Sequence, residues 1–447
     1  MKKFSFALLF LFISRFSAAQ SFYFEKGMNF KQVEQVLSEN LYQLNAQDLN
    51  ILLENYRNFS EHNARLAGVA AGRVAFLQKD YSQAITLYRK VLAENPTLTP
   101  VRLELAITLF YQKQNEAAKE QFEKIKSDPE LPEDSRRLVE HYLENLAKQA
   151  GWEIDFSIHY VKEKNVNNVS DAENIRLSNQ ATLSKSGGML PQKAQGFSYY
   201  LNVNRDFNLV GSHYFSLTNL FVGKSYWDNH KYDDIFNRTS LGYAYKVANN
   251  TFRIKPFYEK RWYGNKSYRW NNGISLENAY WFSPNWRLSL SFEFAKQHYF
   301  DELMLNGHSR LFSSTLAWFI NPKLHFYLGT DVVSERTKVR QYSSDSHAFR
   351  AGWGQEWQGG ISSQIGLSFI KRAYKDTAKL GNLDFFSFGK VRKDHIYSLH
   401  MLLWKRDWHL WGITPKLQFI WKKQNSNIPQ MYSYKQSNIN LVFEKRF

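Results

Sequence analysis

The chain has 447 residues, a formal charge of +17, 17% aromatic residues and no cysteine. Without cysteine there is no thiol catalysis, no Cys-ligated zinc and no lipid-modified N-terminal Cys, and the chain suits an oxidising compartment. The positive charge comes with no nucleic-acid-binding motif, so nucleic acid is not an expected partner; basic groups facing anionic lipid or an acidic protein account for it.

Composition shifts near residue 150, so two domains are expected behind an export signal. Met1-Lys2-Lys3, the apolar run Phe4–Ile13 and the small residues Ser17-Ala18-Ala19 read as a signal peptide over residues 1–19, cleaved after Ala19. The run is too short to span a membrane as a helix.

Residues 20–150 carry helical periodicity. Candidate helices are Phe30–Asn40, Gln47–Phe59, Glu61–Gln78, Tyr81–Glu94, Thr99–Gln114, Glu116–Lys126 and Pro132–Lys148, punctuated by Asn95-Pro96, Asp128-Pro129 and Leu131-Pro132. Shifting the chain by 34 residues aligns Gly72 with Ala106, Phe76 with Phe110, Lys79 with Lys113, Ala84 with Ala118, Tyr88 with Phe122 and Val91 with Ile125. Small residues where paired helices touch, followed by an aromatic, form the tetratricopeptide signature at this period. Two repeats are clear. A solenoid needs about three to bury its core, so the helices before Glu61 should act as a degenerate repeat and those after Pro132 as a cap. Such arrays hold partners on their concave face, here lined by Arg73, Phe76, Ile107, Phe110 and Tyr111; some of these could equally be core. The junction Lys148–Gly151 is too short for a floppy linker, so the helical unit should hang directly beneath the second domain.

From Trp152 to Phe447 the period changes to two. Trp286, Leu288, Leu290, Phe292 and Phe294 share one strand face against Arg287, Ser289, Ser291 and Glu293; Trp152–Tyr160 repeats the pattern. Short connections (Asn208–Ser212, Ala248–Thr251, Ser283–Asn285, Asn321–Lys323, Gly359–Gly360, Lys405–Trp408) alternate with long polar ones (Lys162–Gly196, Lys224–Asp233, Tyr263–Arg269, Tyr299–His308, Glu335–Ser346, Ala373–Asp394, Lys423–Tyr432). A membrane barrel has such tight turns at one rim and longer loops at the other, whereas a soluble sandwich has no reason to. The punctuation delimits about fourteen strands over residues 151–447. The last of them presents Ile439, Leu441, Phe443 and Phe447 on one face, and a terminal Phe is a feature that outer-membrane barrels show to the barrel-assembly machinery during biogenesis. The expected fold is therefore an N-terminal α-helical tetratricopeptide-like solenoid followed by an outer-membrane antiparallel β-barrel, with outer-membrane lipid as its solvent.

The chain carries no hydrolase elbow, zinc-protease helix, phosphate loop or strand-coupled dinucleotide motif. Gly352–Gly360 reads as strand plus turn. Asp394-His395 and His400 could suggest an acid–histidine site, but an offset of five puts the two histidines on opposite strand faces. No cofactor, metal or catalytic set is expected, and the protein is not expected to be an enzyme.

Val101-Arg-Leu-Glu-Leu-Ala106 leading into Leu109-Phe110, Leu131-Pro-Glu-Asp134 with His141–Leu146, and Trp152 with Asn165-Val-Asn-Asn168 occur in an order that resembles the surface lipoprotein assembly modulators (Slam proteins) of Gram-negative bacteria. The resemblance covers nearly the whole mature chain. It implies delivery of client proteins across the outer membrane, with the helical domain receiving them in the periplasm. Clients in the family are surface lipoproteins that capture host transferrin, lactoferrin or haem, and some relatives export soluble haem-binding proteins. The resemblance leaves two routes for the client, the lumen or a seam between the first strand (Trp152–Val161) and the last (Ser437–Phe447). Two other readings remain open from the residues: a passive pore with a periplasmic accessory domain, or a tether for other envelope-export machinery.

Overall fold

The computed structural model describes residues 28–446 except 113, 149–150, 248, 382 and 410. The expected signal peptide, Phe447 and the middle of the Lys148–Gly151 junction lie outside the described residues.

Seven helices come first: α1 (Phe30–Asn40), α2 (Ala46–Arg57), α3 (Ala64–Leu77), α4 (Tyr81–Glu94), α5 (Thr99–Tyr111), α6 (Asn115–Lys126) and α7 (Glu133–Lys148). Several of their starts are fixed by side chains that satisfy otherwise orphaned amide groups. Asn29 and Gln32 form a reciprocal capping box on α1, and Asp80 accepts from Gln83 N on α4. Helix α3 starts at Ala64 rather than at the expected Glu61, because the Asn63 side chain accepts from Arg65 N and Leu66 N. The 34-residue alignment has a packing cause. A Cβ on Gly72 would lie 2.5 Å from the fully buried Tyr88 ring, so only glycine fits there. One repeat later, Ala106 and Phe122 are both buried with no exposed surface. A continuous core runs from Val33 on α1 through Tyr56, Tyr88 and Phe122 to Val139 and Leu146 on α7.

The strands are β1 (Glu153–Glu163), β2 (Asn174–Arg176), β3 (Thr182–Ser184), β4 (Ala194–Val210), β5 (His213–Tyr226), β6 (Asp234–Val247), β7 (Asn250–Tyr263), β8 (Lys266–Ser283), β9 (Trp286–Tyr299), β10 (Gly307–Asn321), β11 (Leu324–Thr337), β12 (Ser344–Glu356), β13 (Ile361–Lys379), β14 (Ser387–Lys405), β15 (Thr414–Ser426) and β16 (Tyr434–Arg446). All but β2 and β3 form one closed antiparallel barrel of 14 strands, each paired with its neighbour along the chain and β16 with β1. The little hairpin β2–β3 and a short helix α8 (Pro429–Tyr432) sit inside the first and last long loops. Both go beyond the sequence expectation, since three- and four-residue elements leave no periodic trace.

The alternation behaves as the sequence requires. Outward apolar groups such as Phe292, Leu328, Phe349 and Leu367 are exposed around the wall, which only lipid can make favourable. Aromatic pairs ring it, with Trp286 stacked on Trp318 at 5.3 Å toward the short turns and Tyr160 on Trp227 at 5.7 Å toward the loops.

Candidate functional site

The helical unit meets the barrel at the short-turn rim through a buried charge cluster. Glu356, the last residue of β12, accepts from Arg102 Nη2 at 2.8 Å and from Lys124 Nζ at 2.8 Å, while Arg406 Nε lies 3.9 Å away. Arg102 is 2% exposed and also donates to the Pro96 carbonyl at 2.8 Å. Burial works against the Lys124 charge, yet Glu120 and Glu356 overcome it and raise its pKa. Arg406 donates to the Leu92 carbonyl, Asn285 donates to the Ser127 carbonyl at 2.8 Å, and Ala93 packs on Gly360. These contacts come from the ends of α4 and α5 and from α6. Beside them a cavity of about 620 Å³ separates α6 and α7 from the β4–β9 wall, lined by both signs of charge, including Glu123, Glu140, Lys246 and Arg253.

The five residues expected on the concave face lie on α3 and α5. Arg73 is already held: its guanidinium lies 3.5 Å from Glu104 and stacks over Tyr42 and Phe76. Glu104 also accepts from Tyr88 Oη, and burial pushes its carboxyl above the usual range although Arg73 pulls it back. Phe76, Ile107 and Phe110 are partly buried and pack on the core. Tyr111 is 49% exposed and, with Phe76 and Tyr81, forms an aromatic patch of rings 5.6 to 5.9 Å apart. The structure thus brings Phe76 and Tyr111 together at an accessible surface, joins Phe110 to them through Tyr111, and assigns Arg73 and Ile107 mainly to packing.

Inside the barrel, charges are paired along the wall rather than left to line a bore. Arg238 reaches from β6 to Glu293 on β9 at 2.6 Å, and Arg350 binds Asp331 through two nitrogens at 2.8 and 2.9 Å. The inward Ser240, Phe257, Glu259, Asn271, Ser275 and Gln297 are nearly inaccessible.

The closure is uneven. Strand β16 pairs with β15 at every residue from Tyr434 to Glu444, and β1 pairs with β4 at every residue from Glu153 to Glu163. Among the described residues β1 and β16 pair only from Asp155↔Arg446 to His159↔Val442. The unpaired half faces the loop rim. Above it lies the first long loop: Ser170 N donates to the Met431 carbonyl at 3.4 Å, Lys185 Nζ to the carbonyls of Ser170 at 2.5 Å and Gln430 at 3.2 Å, and Ser178 N to the Ser387 carbonyl at 2.9 Å. Ile175 and Leu177 from this loop bury themselves with Ala378, Phe388 and Ile428.

The acid–histidine pair resolves as the strand offset requires. His395 stacks on Phe369 on the outer face beside Tyr397, His400 meets Gln418 at 3.1 Å on the inner face, and Asp394 pairs with Arg392 at 2.8 Å. Among the described residues no group of three or more His, Asp or Glu could hold a metal. Glu356 carries no local signal in the chain, because its partners are 254 and 232 residues away.

A lipid-facing closed barrel with an incompletely zipped seam and a solenoid fixed to one rim defines an integral membrane barrel with a helical docking unit. Residues 152–447 match the family model described as surface lipoprotein assembly modifier, and residues 27–122 match its N-terminal repeats. The chain is 34% identical to the surface lipoprotein assembly modifier of Pasteurella multocida over 84% of this chain and 75% of that one. It is 32% identical to surface lipoprotein assembly modifier 1 of Haemophilus influenzae over 91% of this chain and 82% of that one. It is also 25% identical to the hemophilin secretion modulator of Acinetobacter baumannii over 89% and 83% of the two chains. The chain belongs to the surface lipoprotein assembly modifier family.

Proposed function

We propose that this protein resides in the outer membrane of a Gram-negative bacterium and delivers particular client proteins, surface lipoproteins or secreted haem- or iron-binding proteins, to the cell surface. Residues 1–19 serve as its export signal, residues 20–150 as a periplasmic receptor and residues 151–447 as the barrel. The observation that carries this reading is the helical unit fixed by Glu356 against the short-turn rim, with Tyr111 exposed on a different helix face. A client gathered on Phe76, Tyr81 and Tyr111 is thereby held at a set distance from the barrel mouth. Names of relatives, which mention surface lipoproteins in most cases and hemophilin in one, support both client classes. The family's assembly role argues against a passive pore and against a catalytic function.

Protease shaving of intact cells tests the proposal, with an epitope-tagged neighbouring-gene product as client. Surface cleavage of the client should fall at least tenfold in a strain lacking this protein. Equal cleavage in both strains ends the delivery reading.

A further inference from the structure

We propose that the loop-side half of the β1/β16 seam is an acceptor site for an extended strand of the client, which adds to the free edge of β16 while the turn-side half stays closed. The inference rests on the delivery reading and names where the client engages the barrel.

The ladder is the first ground. Both seam strands are in full register with their other neighbours, yet they pair with each other only through His159↔Val442. From Tyr434 to Leu441, β16 is regular strand with one edge in no ladder among the described residues, and so is β1 from Tyr160 to Glu163. Main-chain donors and acceptors cannot be satisfied by lipid tails, and an unpaired edge is a template for another strand. An extended polypeptide is the occupant that meets a row of alternating N–H and C=O groups. The eight residues Tyr434–Leu441 accommodate a strand of ordinary length, about five or six residues.

The second ground is the side chains. Ile439 and Leu441 lie on the outer face of this segment, 72% and 52% exposed. Asn440 points inward and is buried, donating to Gln418 at 2.8 Å. An incoming strand therefore needs apolar residues facing lipid and polar residues facing the lumen, which specifies an amphipathic edge strand.

The cover is the third. The first long loop reaches over this half, touching β16 through the Gln436–Asn168 hydrogen bond at 3.2 Å and α8 through Lys185 and Ser170. It crosses the rim by main-chain hydrogen bonds, a small apolar cluster and the buried Lys185 ammonium on the Gln430 carbonyl, and Lys185 also donates to the Ser170 carbonyl of its own loop, which it keeps when the Gln430 bond is exchanged.

The absence of native cysteine makes the test clean. Continuing the observed ladder would set Val161 opposite Asn440, so V161C/N440C forms a disulfide that closes the free half; I158C/F443C links a pair already in the ladder. With the tagged neighbouring-gene product as client, oxidised V161C/N440C should lose delivery at least tenfold and regain it on reduction, and oxidised I158C/F443C should deliver as the parent does. Delivery unchanged by the first link, or lost equally with the second, overturns the acceptor site while leaving delivery itself standing. A client-free measurement separates the two readings further. In nanodiscs, the β1-facing amides among Asn438–Leu441 should exchange with deuterium at least tenfold faster than the laddered amides of Phe419–Trp421, and equal protection overturns the free edge.

Discussion

At the short-turn rim one buried carboxylate gathers Arg102, Lys124 and Arg406 and fixes the helical unit; at the loop rim half-paired strands lie beneath a loop held by main-chain hydrogen bonds, the Lys185 ammonium on the Gln430 carbonyl and five buried apolar residues. A buried ion cluster resists partial opening, because separating one member leaves the others charged and dry. Main-chain bonds to a loop are different: water replaces them at a net cost of about 0.5–1.5 kcal/mol each. The barrel is therefore built to be held at one end and to open at the other.

The contrast between the rims should break most sharply at Glu356. Glu356→Ala should weaken docking of the helical unit by about 3–5 kcal/mol, since Arg102 is left buried without a counter-charge. Limited proteolysis in the Lys148–Gly151 junction should speed up accordingly, and adding Arg102→Met should recover part of the loss. At the opposite rim, Ile175→Ala removes a fully buried side chain from the loop cluster and should cost about 2–4 kcal/mol, confined to that cover. Hydrogen exchange should rise in the first long loop and α8 while the Glu356 junction stays protected.

Acid should act on the short-turn rim as well. His409, in the turn before β15, bonds Thr414 Oγ1 at 3.0 Å and the Arg406 carbonyl; burial and the nearby Arg89 hold its pKa down to about 4. A base with a depressed folded value is protonated first in the unfolded chain, so the folded protein loses stability as pH falls from about 6.5 toward 4. At pH 5 the loss should be roughly 2 kcal/mol. Thermal melts at pH 7.5 and 5 should show it, and His409→Gln should remove the difference. The smallest structural effect belongs to Tyr111. Tyr111→Ala should cost about 1 kcal/mol of stability, because the half-exposed ring still packs on Phe76 and Tyr81, yet lower client delivery severalfold in the shaving assay.

Much of this is legible in the chain. Strand alternation in Trp286–Phe294 tells which face meets lipid; the connections tell the two rims apart only in part, since Tyr263 and Lys266 at the loop rim are joined by a two-residue turn and β15 begins only at Thr414, beyond the expected Lys405–Trp408 turn. The 34-residue spacing of Gly72 and Ala106 locates the repeats because Tyr88 and Phe122 need room there. Helices α1 and α4 begin and end where their caps and breakers say. Less legible is the concave face: Arg73 and Ile107 have the right position in the repeat, but Glu104 and the core claim them.

By itself the sequence determined a solenoid, a lipid-facing barrel and the order of the two, because periodicity is a local property that states which side of each element must be buried or wetted. Only the tertiary structure decided that Glu356 would meet Arg102, that the seam would zip for half its length, and that the first loop would fold over the rest. Those outcomes depend on partners hundreds of residues apart and on how a sheet's ends meet after it has curved, and neither leaves a mark in the spacing of residues along the chain.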